Sequence, residues 1–120
     1  PGMGGTFLLP RLVGTAVACE LFFTGRVFDA VEAERLGIVN RAVAADAFAA
    51  AVGDLAGEIA AAAPVAVRMV KSSIYRGTEH SLPQMIEFEG LSQGFTFTTR
   101  DAKEGVMAII EKREPRFTGE

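Results

Sequence analysis

Two segments of the chain, one at each end, have residue types that can do chemistry. The first runs from Pro1 to Thr6, contains three glycines and ends where a helix is expected to begin. Side chains do not shield the backbone N–H groups of such a segment, so these groups can approach a ligand oxygen or an ordered water. Glycines also precede helices for steric reasons alone. The residues themselves leave both interpretations open.

The second segment runs from Glu111 to Phe117 and mixes three cations with two carboxylates at the end of a predicted helix. Cations at this place complement the partial negative charge of a helix C-terminus. Lysine and arginine also form strong, charge-assisted hydrogen bonds to phosphate. The segment therefore predicts either a structural helix end or a phosphate contact.

The other reactive side chains favour structural roles. His80 is the only histidine and Cys19 the only cysteine, so the chain lacks the ligands for a zinc site, and we predict no metal. Glu87 and Glu89 point about 200° apart on a helix and cannot share a reacting atom. Glu20 lies within an apolar helix and has no neighbour in sequence that would tune its pKa.

Composition narrows the class of protein. The chain has 120 residues, enough for one compact domain, and its net charge of −3 argues against nucleic-acid binding. The longest apolar run, Ile59 to Val67, is far shorter than the roughly 20 residues that span a membrane. A lone cysteine and the lack of a leader pattern predict the reducing cytoplasm. A start at Pro1 without a methionine suggests a piece of a longer protein.

The spacing of apolar residues predicts a mainly α chain of seven helices. Four side chains are placed to cap helices, with Gly25 and Gly37 ending the second and third and Pro64 opening the fifth; the caps are Thr15, Asp29, Asp46 and Ser81. The first helix is expected over 6–13 and the last over 101–113. Ile38 to Val43 is the one predicted strand, and its partner would lie outside this chain or on another copy.

Two apolar patterns suggest surfaces for packing. In the last helix Val106, Ile109 and Ile110 are expected to face inward. In the sixth helix an aromatic and thioether stripe exceeds what so small a core can hide, which predicts self-association; it consists of Met85, Phe88, Leu91 and Phe95.

In order along the chain, five short motifs together resemble the crotonase (enoyl-CoA hydratase/isomerase) superfamily, and the likeness covers nearly the whole chain. They are Pro-Gly-x-Gly-Gly-Thr at 1–6, Leu-Pro-Arg-Leu-Val-Gly at 9–14, Glu-Leu-Phe-Phe-Thr-Gly-Arg at 20–26, the segment Ala30 to Asn40, and Asp-Ala-Lys-Glu-Gly at 101–105 leading to Glu-Lys-Arg at 111–113.

The resemblance implies the helical C-terminal region of a crotonase fold, without the N-terminal spiral of ββα turns. That spiral would supply the oxyanion-hole donors and the acid–base carboxylates, which map before Pro1. Residues 1–44 would be the tail of the catalytic core and residues 45–120 a helical oligomerisation region. Phe7 and Leu8 replace the usual Gln-Arg pair, which leaves the subgroup open.

Four site residues carry over from the family. Gly2 matches the glycine whose backbone N–H helps hold the catalytic water, and Met3 matches a position near the acyl pocket. Lys112 matches a basic residue that reaches the coenzyme A nucleotide of a neighbouring subunit. Ile109 stands where some members have an aromatic beside that nucleotide, so stacking is not expected here.

The resemblance implies a lyase or isomerase of fatty acid metabolism that acts on enoyl-CoA thioesters through an oxyanion-stabilised enolate. Coenzyme A is part of the substrate, and no cofactor is expected. The whole protein is expected to form a trimer or a dimer of trimers; this chain alone is expected to be inactive and to self-associate as a dimer. Hydrolase, decarboxylase and dehalogenase chemistry and acyl-chain preference stay open. A non-catalytic helical oligomerisation or adaptor module is the alternative function.

Overall fold

The regular elements of the chain are all α-helices in the computed structural model, which describes residues 2–120. The predicted mainly α class is confirmed. The chain divides into two compact units, Pro1–Ala49 and Ala50–Glu120. The helices are α1 Gly5–Val13, α2 Thr15–Thr24, α3 Ala30–Arg35, α4 Phe48–Ala61, α5 Pro64–Gly77, α6 Leu82–Phe97 and α7 Arg100–Glu111.

The first unit is built around the packing of α1 on α2. Gly14 separates the two helices with a φ of 80°, and Gly14 rather than the predicted Thr15 is the N-cap of α2. A residue with a Cβ disfavours this positive φ, so the glycine sets where α2 begins. Gly25 ends α2 as predicted, in the left-handed conformation, with its N–H donating to the carbonyl of Leu21 at 3.1 Å.

The predicted strand at 38–43 is wrong. Residues 38–43 form a bend and an irregular segment that is tied back to α3. The N–H of Ile38 donates to the carbonyl of Ala33 at 2.9 Å, and the N–H of Ala42 donates to Glu34 Oε2 at 3.1 Å. These bonds pair backbone N–H groups of the segment with α3 instead of with a neighbouring strand.

The second unit contains α5 packed on α6, with α6 also contacting α7. Pro64 opens α5 as predicted. Ser81 begins α6 as predicted, and its N–H and Oγ–H both donate to Gln84 Oε1, each at 2.9 Å. By contrast α4 begins at Phe48, two residues beyond Asp46, and buries none of its residues.

Within residues 2–120 no single helix is long and apolar enough to cross a membrane. By length and composition alone, Phe48–Ala61 and Pro64–Gly77 pass that test only when joined, and they are bent by 106°.

The aromatic and thioether stripe of α6 is divided between packing and surface. Met85 is buried and Phe88 is half-buried, with the guanidinium carbon of Arg76 lying 4.6 Å from the Phe88 ring centroid. Leu91 and Phe95 are exposed. Two of the four residues therefore stabilise the unit itself, and only the other two remain as surface.

The orientation predicted for α7 is wrong. Val106, Ile109 and Ile110 are exposed, with Ile109 at 79%. The buried face instead contains Asp101 and Ala108, two helical turns apart. The chain following α7 folds back onto Asp101, as described below, and α6 also contacts α7.

Candidate functional site

The glycine-rich segment makes a sharp turn before α1. Met3 and Gly4 both adopt positive φ values, 52° and 83°, and the carbonyl of Gly2 accepts the N–H of Gly5 at 3.0 Å. The turn leaves Gly2 and Met3 exposed, and a Cβ added at Gly2 would meet no atom within 4 Å. The geometry leaves room for a ligand or water beside Gly2.

An ion-pair cluster around Arg26 ties α2 to α3. Its guanidinium makes two hydrogen bonds to the Glu32 carboxylate, at 2.9 and 3.0 Å, and Nε lies 3.2 Å from Glu20 Oε1. The hydrogen-bonded Arg26 holds the pKa of Glu32 below its usual range. Asp29 caps α3 as predicted, accepting the Glu32 N–H at 2.8 Å. Glu20 thus serves as an ion-pair partner.

The chain after α7 runs back along that helix, and we call residues 113–120 the C-terminal strap. Asp101, only 3% exposed, holds the far end of the strap. Its Oδ1 accepts the N–H of Thr118 and its Oδ2 accepts the N–H of Gly119, both at 2.8 Å. The Glu120 carbonyl in turn accepts the Asp101 N–H at 3.1 Å. A buried carboxylate is therefore fully hydrogen-bonded.

A second carboxylate holds the near end of the strap. Glu104 pairs with both terminal nitrogens of Arg113, at 2.6 and 2.9 Å, and its Oε1 accepts the Arg116 N–H at 2.8 Å. These hydrogen bonds, the Arg113 guanidinium first, lower the pKa of Glu104 to about 2. Glu104 is therefore ionised at neutral pH, and the pairing weakens only as the pH falls through the acid range toward that value.

Lys112 lies between α7 and the strap, in a left-handed backbone conformation with φ 53° and ψ 43°. Ile109 precedes it by three residues, and both side chains are exposed at this end of α7. The two positions predicted to face the nucleotide therefore share one helix end. Gly2 and Met3 lie together in the other unit.

The remaining candidates from the sequence, His80 and Cys19, are not placed beside other reactive side chains. His80 is exposed, with Nδ1 2.9 Å from the carbonyl oxygen of Arg76, and Cys19 is half-buried. No three His, Cys, Asp or Glu side chains among residues 2–120 are placed to hold a metal ion. An open groove of about 600 Å³ between α5 and α6 is mostly apolar, with Glu89 and Ser92 among its lining residues.

Asp101, Glu104 and Arg113 are the residues that sequence reasoning missed. Their contacts join positions 9 to 18 residues apart, beyond any helical repeat. A buried carboxylate in the first turn of a helix resembles an ordinary favourable charge near the helix N-terminus. The acidic residues of the motif at 101–105 could have drawn attention to them, but nothing in the sequence indicates which groups they bind.

We expect Asp101→Asn to lower the free energy of unfolding by about 1.5–3 kcal/mol. The amide keeps one acceptor oxygen but turns an NH₂ group toward the backbone N–H of Thr118 or Gly119, so one donor loses its partner. Urea unfolding measures the change. The control is Glu120→Gln on the exposed Arg100–Glu120 pair, with an expected change within about 0.5 kcal/mol. Equal midpoints for the two variants would contradict the role given to Asp101.

The fold and these sites define the helical C-terminal region of a crotonase fold, and the comparisons agree. The chain belongs to the enoyl-CoA hydratase/isomerase family, whose model matches residues 1–120. In the described residues the ββα spiral is not present.

Relatives match nearly the whole length of this chain. Human enoyl-CoA hydratase domain-containing protein 2, mitochondrial, is 46% identical over 123 residues, covering 99% of this chain and 42% of the relative. The crotonyl-CoA hydratase of Syntrophomonas wolfei is 38% identical, covering 98% and 45%. The crystal structure of the enoyl-CoA hydratase from Bacillus anthracis superimposes with a TM-score of 0.94 at 38% identity, covering 100% and 46%. The chain thus spans less than half the length of these relatives and corresponds to their C-terminal part.

Proposed function

We propose that this chain is the C-terminal region of an enzyme that hydrates or isomerises enoyl-CoA thioesters. The observation that carries the proposal is the family match along all 120 residues, supported by the similarity to a protein named as a crotonyl-CoA hydratase. In this chemistry backbone donors stabilise the thioester oxyanion of an enolate while carboxylates move protons. No metal or cofactor is needed, because the thioester carbonyl itself withdraws the electrons. No observation favours the alternative, a helical adaptor module.

Gly2 is proposed to act through its backbone N–H, which would help hold the water that adds to the double bond. The exposed turn at residues 2–4 and the free space beside the Gly2 Cα support this role. Met3, whose side chain is fully exposed in this chain, would line the acyl pocket. Its side chain would become covered only when the substrate and the rest of the protein are present.

Lys112 and Ile109 are proposed to face the nucleotide of coenzyme A bound to an adjacent subunit. Both are exposed at one end of α7, and Lys112 brings an ammonium to a place where α7 ends. Ile109 offers an aliphatic surface rather than a ring. The nucleotide would therefore be held by charge and van der Waals contact more than by stacking.

The test is an assay of the whole protein with crotonyl-CoA. A hydratase adds one water to a 2-enoyl thioester, and mass spectrometry detects the added mass. An isomerase leaves the mass of a 3-enoyl thioester unchanged, so chromatographic separation of the 2-enoyl and 3-enoyl isomers detects its turnover. Lack of turnover with both substrates, from protein that is folded and binds coenzyme A, would contradict the proposal.

Lys112→Ala in the whole protein is expected to raise the Kd for coenzyme A about tenfold, since a charge-assisted contact to phosphate is lost. Its effect on the 3′-dephospho form is expected to be smaller, and the penalty is expected to shrink as salt rises. Isothermal titration at two salt concentrations measures both. The control is Lys103→Ala, the same charge change on the exposed surface of α7. Equal weakening of both ligands would leave only a helix-end role for Lys112.

The whole protein is also proposed to be a homo-oligomer, either a trimer or a dimer of trimers. The cytoplasm is proposed as its location. Exposed apolar side chains on α4 and α7 support an assembly, among them Phe48, Ile59, Ile109 and Ile110. Several relatives are named as mitochondrial proteins, a compartment other than the one proposed here. Sedimentation equilibrium measures the assembly, and a monomer at high concentration would contradict it.

A further inference from the structure

We propose that Glu104 is a positioning residue for Lys112, acting through Arg113. The inference rests on the proposed nucleotide contact of Lys112 and adds to it a device that aims the lysine. Glu104 itself touches no part of the substrate in this proposal. Its role is to hold the backbone from which the lysine side chain projects.

The direction of the chain at Lys112 depends on the Glu104–Arg113 pair. Residues nine positions apart on a continuous α-helix lie about 180° apart around its axis, so an uninterrupted α7 would carry Arg113 to the face opposite Glu104. Arg113 instead meets Glu104 through two hydrogen bonds, at 2.6 and 2.9 Å. The chain changes direction at one residue, Lys112, whose backbone is left-handed. We call this turn the reversal, and it brings Arg113 back to Glu104.

Lysine is a costly residue for this reversal. A Cβ disfavours the left-handed conformation, which glycine adopts freely at helix ends. The turn is closed by backbone bonds from the N–H of Lys112 to the carbonyl of Ile109, at 3.3 Å, and from the N–H of Arg113 to the carbonyl of Ala108, at 3.0 Å. The strained lysine stays in place because the residue after it is clamped. A lysine where glycine fits better suggests that its side chain is needed there.

Two carboxylates hold Arg113, and we call this arrangement the clamp. Glu104 is its main support and Glu111 the lesser one. Glu104 is half-buried and binds Arg113 at two nitrogens, and it also accepts the Arg116 N–H at 2.8 Å. Glu111 is more exposed and binds Arg113 through a single contact, Nε to Oε2 at 2.6 Å. Removing the charge of Glu104 therefore weakens the support of the reversal, whereas removing that of Glu111 leaves the two-point pair in place. Glu111→Gln is the matched control.

The experiment measures the Kd for coenzyme A in the whole protein and four variants: Glu104→Gln, Glu111→Gln, Lys112→Ala, and the double variant of Glu104→Gln with Lys112→Ala. Glu104→Gln is expected to raise the Kd about 3- to 5-fold, and Glu111→Gln less than about 2-fold. In the Lys112→Ala background Glu104→Gln is expected to have no further effect. The salt dependence of binding in Glu104→Gln is expected to fall toward that of Lys112→Ala, a change that a general loss of stability would not produce.

A second measurement tests the left-handed backbone of Lys112 through thermal stability and needs no ligand. Lys112→Gly is expected to raise the thermal unfolding midpoint by about 2–5 °C, because glycine relieves the left-handed strain. In the Glu104→Gln background Lys112 can leave that conformation, so the gain from glycine is expected to be smaller.

Three outcomes overturn the inference. If Glu104→Gln weakens binding equally with and without Lys112, Glu104 does not act through the lysine, although the proposed function stands. If glycine raises the midpoint equally in both backgrounds, the clamp does not hold the reversal. If Lys112→Ala binds coenzyme A as the unchanged protein does, there is no contact to position, and the hydration assay alone decides the activity.

Discussion

The 120-residue chain, expressed without the rest of the proposed protein, is expected to convert crotonyl-CoA no faster than buffer alone does. General acid–base catalysis needs a carboxylate held near the substrate and free to exchange a proton. Among residues 2–120 the only buried carboxylate is that of Asp101, and backbone N–H groups of the strap occupy both of its oxygens. Relative to the whole protein the loss is expected to be on the order of 10⁵-fold or more.

The measurement is turnover of crotonyl-CoA by the purified chain and by the whole protein at equal concentration. Circular dichroism of the isolated chain serves as the control that its helices have formed. Turnover above the buffer rate that survives repurification would show that residues 2–120 hold a complete catalytic site, contrary to the family-based expectation.

Gly2→Pro in the whole protein is expected to lower kcat about 100- to 1,000-fold. Proline has no backbone N–H, and one missing donor in a preorganised site costs about this much. Gly2→Ala is the matched control, because it keeps the N–H. An added Cβ meets no atom of the described chain within 4 Å, and Gly2 is not among the glycines with positive φ. Gly2→Ala is therefore expected to lose about tenfold or less.

Steady-state kinetics with crotonyl-CoA compares the two variants. Equal losses in both would show that the space beside the Cα matters rather than the donor. Full activity in Gly2→Pro would remove Gly2 from the catalytic machinery.

Most features that the sequence predicts well are decided within about four residues, although the cap predicted at Thr15, a signal of the same kind, is wrong. The caps at Asp29 and Ser81, the start of α5 at Pro64 and the left-handed end at Gly25 all depend on a side chain or a glycine acting on its own turn. Such signals do not depend on what packs against the helix. They fixed the class and nearly all the helix positions.

Features decided by distant contacts could not be predicted in this way. The segment 38–43 is predicted as a strand, but hydrogen bonds to α3 tie it back to that helix. On α7, Ile109 has the residue type of a core position, yet the face that is buried is the one the strap covers. Lys112 gives no sign in sequence of its left-handed backbone, since the pair that requires it joins positions nine apart.

The roles of the proposed site residues do not follow from contacts within this chain. Gly2, Met3, Ile109 and Lys112 came from the family resemblance, and each is exposed among the described residues. Their roles depend on a substrate and on further protein that would surround them. Contacts within the chain can place these residues on its surface, while ligand binding and kinetics decide what they do there.

The path of the strap has a consequence for how the chain folds. The hydrogen bonds that fasten the strap to α7 span 9 to 20 residues, so they close a short loop within the last part of the chain. Closing a loop of 20 residues costs roughly 3 kcal/mol in chain entropy, comparable to one or two charge-assisted hydrogen bonds. Local contacts of this kind form early and speed folding. The last 21 residues thus contribute contacts of short sequence separation, which lower the contact order of the second unit.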